Sequence, residues 1–276
     1  MIKKKLVICH LLFLQILGCD FSSDYSDKNI NQMISRAEFS SLKNRKVYFG
    51  HQSVGLNIIT GLNSLIQKNK NLEFIKIITP EEYSNLIILE DSNFYFIHSK
   101  IGQNMYPETK FEDFISKLEI LNDIDAAFVK LCYIDINRNT DVHRLYNKYL
   151  ETYDLLGNKY NRIKFIYFTS PLTTRQDYLI RTIKSLLGRP DHNIKRNQFN
   201  RLLRETESIN LFDIAYYESH YDGDVATLKN EYLLRKYSDD NRHLNKLGSE
   251  KVAIQLLVYL NNLFTIEKLH NEQDNI

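Results

Sequence analysis

Three side chains in this sequence have the types and positions that acyl-transfer chemistry needs. Ser53 lies in Val47-Tyr48-Phe49-Gly50-His51-Gln52-Ser53-Val54-Gly55, where a β-prone apolar run meets a glycine-flanked serine and then an amphipathic pattern. Asp240 and His243 stand three apart in Asp240-Asn241-Arg242-His243-Leu244-Asn245-Lys246-Leu247-Gly248, just before a second amphipathic pattern. A serine at a strand-to-helix junction is exposed at the edge of a sheet. The helix start aims free N–H groups and its positive end at the same point, where an oxyanion formed by attack is stabilised. A carboxylate three residues before a histidine can accept the Nδ1–H in a tight turn and leave Nε2 to take a proton from serine. Each half also has a plainer reading. Ser53 suits the N-cap of the helix that follows, and an isolated Asp-x-x-His is more often a surface pair. The chemical reading gains from both halves lying at element edges, at opposite ends of the chain. Asp239 is a rival acid with longer spacing to His243, and His51 is a second polar group for the cleft, too constrained by the turn to act as base.

The elements that must position these groups are legible as short apolar runs rich in β-branched and aromatic residues, at 46–49, 72–79, 94–98, 126–134, 164–169 and 211–215. Most are continuous in hydrophobicity, as strands covered on both faces are. Between them, Val54, Ile58, Leu62 and Leu65 recur at helical spacing. So do Phe111, Phe114, Ile115 and Leu118; Leu145, Tyr149 and Tyr153; and Val252, Leu256, Leu260 and Leu263. Strands alternating with helices predict an α/β sandwich with a mostly parallel sheet. The segment 188–205 is basic and helical in pattern and reads as an exposed helix. Its Arg196, Asn200 and Arg204 recur at one-turn spacing, which suits a solvated face more often than a grip on an anionic or sugar substrate.

At the serine and histidine blocks the chain resembles the SGNH (GDSL-like) hydrolase superfamily. His51-Gln52-Ser53 stands where that family has Gly-Asp-Ser after a strand, and Asp240-Asn241-Arg242-His243-Leu244-Asn245 with Gly248 is similar to its last block. More narrowly, the chain looks like a divergent bacterial lipoprotein subgroup with a Gly-His-Gln-Ser-Val-Gly first block. Ile101-Gly102-Gln103-Asn104, Lys130-Leu131-Cys132-Tyr133-Ile134-Asp135 and Phe212-Asp213-Ile214-Ala215 fit that subgroup. The resemblance implies a three-layer α/β/α sandwich with a mostly parallel central sheet (SGNH/flavodoxin-like). It also implies a triad of Ser53, His243 and Asp240 serving esterase, lipase or O-acetyl chemistry without a metal. One departure stands out: Ile134 falls where the family's third block supplies an oxyanion-hole Asn, and a missing donor costs on the order of 3 kcal/mol in the transition state. The Gly102 N–H and Asn104 amide are the first expected replacements. Lys130 is an alternative that better suits an ion pair with Asp135 or another buried acid. Tyr133 and Asp135 either line the cleft or make structural hydrogen bonds.

The first residues read as a processing signal. Lys3, Lys4 and Lys5 precede a short apolar run, and Ile16-Leu17-Gly18-Cys19 resembles a lipoprotein cleavage box. The resemblance implies lipidation of Cys19; an uncleaved apolar leader is the plainer alternative. The expected organisation is a signal peptide at 1–18, a polar tether at 19–38, one hydrolase domain at 39–266 and a polar, frayed tail at 267–276. Losing residues 1–18 removes three lysines and takes the formal charge from +2 to −1. No basic block suggests nucleic acid. Cys132 is then the lone internal cysteine and reads as core; His220 has no second ligand at metal spacing, and no cofactor is called for. The leading expectation is therefore a lipid-anchored serine esterase of the bacterial cell envelope, acting on an acylated glycan, lipid or small-molecule ester. An O-acyltransferase using the same site, or a non-catalytic glycan- or protein-binding lipoprotein on the same fold, is the alternative.

Overall fold

The structure, a computed structural model, describes residues 38–273 except 87–88, 91, 122, 189–190 and 221–230, together with residues 30, 33 and 34. The expected leader and Cys19 lie outside the described residues. In chain order the elements are β1 (Arg45–His51), α1 (Ser53–Lys68), β2 (Ile75–Ile78), α2 (Pro80–Ser84), β3 (Phe94–Lys100), α3 (Pro107–Ile120), β4 (Ala126–Val129), α4 (Val142–Lys159), β5 (Lys164–Phe168), α5 (Tyr178–Leu186), α6 (Asn193–Arg204), β6 (Asn210–Phe212), α7 (Ile214–Ser219) and α8 (Lys246–Gln273). The strands form one six-stranded sheet, all pairs parallel, in the order β2-β3-β1-β4-β5-β6.

Alternation along each strand feeds two separate cores. Val47 and Phe49 of β1 join Phe96, Phe128 and Phe168 under α1 and α8, whose Val54, Ile58 and Leu62 pack with Val252, Leu256 and Leu260. Tyr48 joins Ile97, Ala127 and Val129 on the other face, beneath Phe111 and Phe114 of α3, Tyr149 and Tyr153 of α4 and Phe199 of α6. Both faces being covered, the strands need no polar side, which is why they read as continuous apolar runs. The result is the expected three-layer α/β/α architecture.

The strand order fixes where a site can form. From β1 the chain builds β2 and β3 on one side, then crosses to place β4 on the other side of β1. The carboxyl ends of β1 and β4 therefore flank the point where the winding reverses, which is where open parallel sheets bind ligands. β4 ends at Val129, short of the expected 134; there the hydroxyls of Tyr153 and Tyr149 take over its N–H and C=O, at 2.9 and 2.8 Å. β6 likewise ends at Phe212, because the Asp213 side chain accepts from Tyr216 N and starts α7. The expected tail is helical to Gln273, and Glu267 within it lies 3.2 Å from Arg45 and 3.7 Å from Lys164.

Gly55 lets α1 start against β1. A Cβ there would overlap the His51 side chain. Gly55→Ala is expected to cost about 1–3 kcal/mol of stability through overpacking, measured as a lower denaturant midpoint at unchanged slope.

Candidate active site

Ser53 is the first residue of α1, at the carboxyl end of β1, and is half-buried. The helix N-cap is Gln52, with no side-chain capping bond. Among the described residues the Ser53 hydroxyl bonds no backbone N–H. Its polar contact is with the Cys132 thiol, Oγ to Sγ 3.4 Å. The capping explanation of this serine therefore fails, and the hydroxyl stands at the sheet edge beside the start of a helix. Gln52 instead turns its amide to the neighbouring loop, donating to Ile101 O at 2.8 Å and Gly102 O at 2.7 Å.

The Asp240–His243 turn is anchored on the same edge. Asp240 Oδ2 accepts from His243 Nδ1 at 2.6 Å, and Oδ1 accepts from the N–H groups of Arg242 and His243 at 2.8 and 2.7 Å. Partial burial opposes ionisation of Asp240. The His243 side-chain and backbone bonds and the Arg242 N–H outweigh it and hold the carboxyl well below its usual range. An ionised Asp240 requires Nδ1 to carry the proton in neutral His243, leaving the Nε2 lone pair free. Asn241 adopts φ 67°, a left-handed geometry Asn tolerates, while its backbone and side-chain oxygens accept from Thr174 at 3.1 and 2.8 Å. Asn245 then caps α8 through Gly248 N at 3.1 Å. The rival Asp239 bonds Asn245 Nδ2, not the imidazole.

The two halves meet at the turn that follows β4. Ser53 touches Cys132, and the His243 ring packs edge-on against Tyr133, the next residue, with centroids 5.6 Å apart. No hydrogen bond joins Ser53 to His243 in this arrangement of the described residues; the serine hydroxyl is turned to the thiol. The turn itself is held from two sides. Asp135 accepts from Cys132 N at 2.6 Å and Met105 N at 2.9 Å and pairs with buried Lys110; Arg196 Nε donates to Tyr133 O at 2.7 Å.

These contacts sort the remaining expected site residues. Tyr133 lines the cleft beside His243. Asp135 is 3 % exposed and ties the turn to α3, a structural role. Its ionic partner is Lys110; Lys130, expected in that role or as an oxyanion donor, donates to Leu131 O at 3.1 Å. Gly102 is a correction: its N–H donates to Asp113 Oδ2 at 2.6 Å and is not available to an oxyanion. Asn104 is exposed, and its Oδ1 accepts from Lys110 at 3.1 Å, so its NH2 group is left to donate. His51 is also displaced from the cleft. It is 1 % exposed and bonds Gln52 O and His98 Nδ1, both at 3.0 Å. The basic helix is not a solvated face: Arg196 and Asn200 are buried, and Arg204 pairs with Asp213 and Glu231 away from the turn. Sequence reasoning missed the contact of Cys132 with Ser53, since an apolar run carries no mark of where its strand stops.

Burial, with positive charge at His98, Lys130 and Lys100, pushes the His51 pKa from 6.5 down to about 3 despite the Gln52 carbonyl. The unfolded chain therefore takes up this proton first as pH falls. Stability from His51 should be complete above about pH 6.5 and be lost towards pH 3, by up to about 1.4 kcal/mol per pH unit. His98 and His192, also lowered mainly by burial, act in the same direction. Urea unfolding at pH 7 and pH 5 should show this loss, and His51→Gln should reduce it.

No family model matches the chain, and no curated protein matches it. Among solved structures, it is similar to a Streptococcus pneumonia protein described provisionally as a platelet activating factor, at 12% identity over 92% of this chain and 99% of that one, with a TM-score of 0.47. It is similar also to a lipopolysaccharide acetyltransferase periplasmic domain from Salmonella ser. Paratyphi A, at 10% identity over 92% and 96% of the two chains, with a TM-score of 0.42.

Proposed function

We propose that this chain is a serine hydrolase acting on an ester. The observation that carries the reading is the Asp240–His243 hydrogen bond at 2.6 Å, set beside Ser53 through consecutive residues Cys132 and Tyr133 at the sheet's switch point. This chemistry requires the serine hydroxyl to turn from Cys132 towards His243 Nε2. Ser53 Oγ attacks the ester carbonyl as His243 takes that proton, and Asp240 stabilises the imidazolium. The oxyanion is held by the Ser53 N–H at the start of α1, with the Asn104 NH2 group as second donor. Collapse breaks the ester C–O bond, and His243 gives its proton to the departing alcohol. Water then attacks the acyl-enzyme with His243 again as base, releasing the acid and restoring Ser53.

The family resemblance supports ester chemistry of the SGNH kind, and the Cys19 box supports a lipid-anchored location in the bacterial cell envelope, where acylated glycans and lipids are the available esters. A sugar hydroxyl in place of water would make the same site an O-acyltransferase. The Ser53–Cys132 contact favours a second reading, a non-catalytic binding lipoprotein on this fold. Hydrolysis of 4-nitrophenyl acetate separates them. Turnover by the wild type that disappears in Ser53→Ala supports the enzyme, whereas a folded wild type with no turnover on short acyl esters supports the binder.

A further inference from the structure

A cleft of ≈ 660 Å³ opens beside the catalytic turn, with Tyr133, Asp240 and Arg242 on its wall. Its lining is strongly basic. Arg138, Arg175, Lys184, Arg196, Arg235 and Arg242 face it, against Asp177, Asp191 and Asp240. Two of the three acids are already engaged: Asp177 pairs with Arg235 at 2.8 Å, and Asp240 holds His243. Among the described residues, the other five cations have no carboxylate within ion-pair distance.

Arg196 is the most telling of them. It is 3 % exposed, on α6, yet among the described residues its bonds run only to neutral oxygens: Nε to Tyr133 O at 2.7 Å, Nη1 to Asn193 Oδ1 at 2.7 Å and Nη1 to Thr173 Oγ1 at 3.1 Å. Asp191 lies near enough to favour its charge but not to pair with it, and burial still pulls the guanidinium pKa down to about 10. A buried cation without a counter-ion is costly. Among the described residues, the remaining nitrogen, Nη2, has no hydrogen bond. An anionic oxygen entering the cleft would supply the missing counter-ion and take charge-assisted bonds from a planar fork already fixed in place. Arg175 and Arg242 are exposed, and Thr173 and Thr174 line the same space with their hydroxyls held by Asn193 and Asn241.

We propose that this cleft binds an anionic group, a phosphate or a carboxylate, carried by the ester that Ser53 attacks, with Arg196 as the buried anchor. The substrate class is then an acyl ester of a phosphorylated or uronic-acid-bearing alcohol such as an envelope glycan. That substrate role rests on the esterase reading, but anion binding itself does not.

Binding is tested on the full chain carrying Ser53→Ala, by calorimetric titration with glucose 6-phosphate, glucuronate and glucose. The expected result is binding of one or both anions and none of glucose, with affinity falling as salt rises. Stronger binding of glucose 6-phosphate identifies phosphate as the group, and stronger binding of glucuronate identifies carboxylate. Arg196→Gln should weaken the anion by about tenfold or more, the worth of one charged hydrogen bond. Because Arg196 also holds Tyr133 O, the exposed pair Arg175→Gln with Arg242→Gln supplies a variant whose fold does not depend on the change, and it should weaken binding comparably. Equal binding of the three sugars, or no binding of either anion at millimolar concentration, overturns the proposal. In the wild type, kcat/KM should be higher for acetylated glucose 6-phosphate or acetylated glucuronate than for acetylated glucose; equal values in an active enzyme also overturn it. Anion binding by a protein that hydrolyses no ester refutes the esterase reading and leaves the anion site standing.

Discussion

Ser53→Ala is expected to lower kcat for ester hydrolysis by about 10⁶-fold, with the fold intact. The size of the effect follows from what the hydroxyl does. In the proposed mechanism it forms the acyl-enzyme bond, so its loss removes the covalent route and leaves only the residual help of oxyanion donors and substrate binding. The fold is spared because the side chain contributes so little to it. Among the described residues Ser53 Oγ makes one polar contact, 3.4 Å from a thiol, and it does not cap α1. A cap would have tied activity and helix stability together, at a cost near 1 kcal/mol on removal. Here the two separate: steady-state kinetics should show the loss, while the thermal midpoint stays near that of the wild type.

Asp240→Asn is expected to lower kcat by about 10⁴-fold without moving the turn. An asparagine can keep Oδ1 as acceptor for the Arg242 and His243 N–H groups. Its NH2 then faces Nδ1, and a donor there forces the proton onto Nε2, the nitrogen that receives one from serine in the proposed mechanism. The variant should therefore be folded and slow. Asp239→Asn is the matched control. Asp239 touches Asn245 at 3.1 Å and not His243, so its rate should stay within a few-fold of the wild type. Equal losses in the two variants would mean that general electrostatics, not tautomer control, links the acids to the rate.

Much of this arrangement was readable in the residues. All six strands lie where apolar β-prone runs predict them, because a sheet covered on both faces leaves no other use for such runs. Asp240 and His243 were readable because three-residue spacing in a polar turn nearly dictates the contact. The ends of runs were not. Residues 130–132 are as buried as a strand, yet Cys132 N bonds the Asp135 side chain instead of a neighbouring strand. Hydropathy reports burial and is blind to that choice. The basic helix misled for the opposite reason. Charge suggests solvent, but Arg196 and Asn200 are drawn inward by oxygens that need donors, Tyr133 O and Ser170 O. The Gly102 N–H follows a strand and reads as a replacement oxyanion donor, and only the fold shows that Asp113, on α3, accepts it.

The central claim is that Ser53 is a nucleophile activated by His243. It is tested most directly by treating the wild type, Ser53→Ala and His243→Ala with a fluorophosphonate and mapping the adduct by peptide mass spectrometry. The account predicts one adduct on the wild type, on the Ser53 side chain, with none on Ser53→Ala and far slower labelling of His243→Ala. A folded wild type that takes no label, or takes it at another residue, would contradict it.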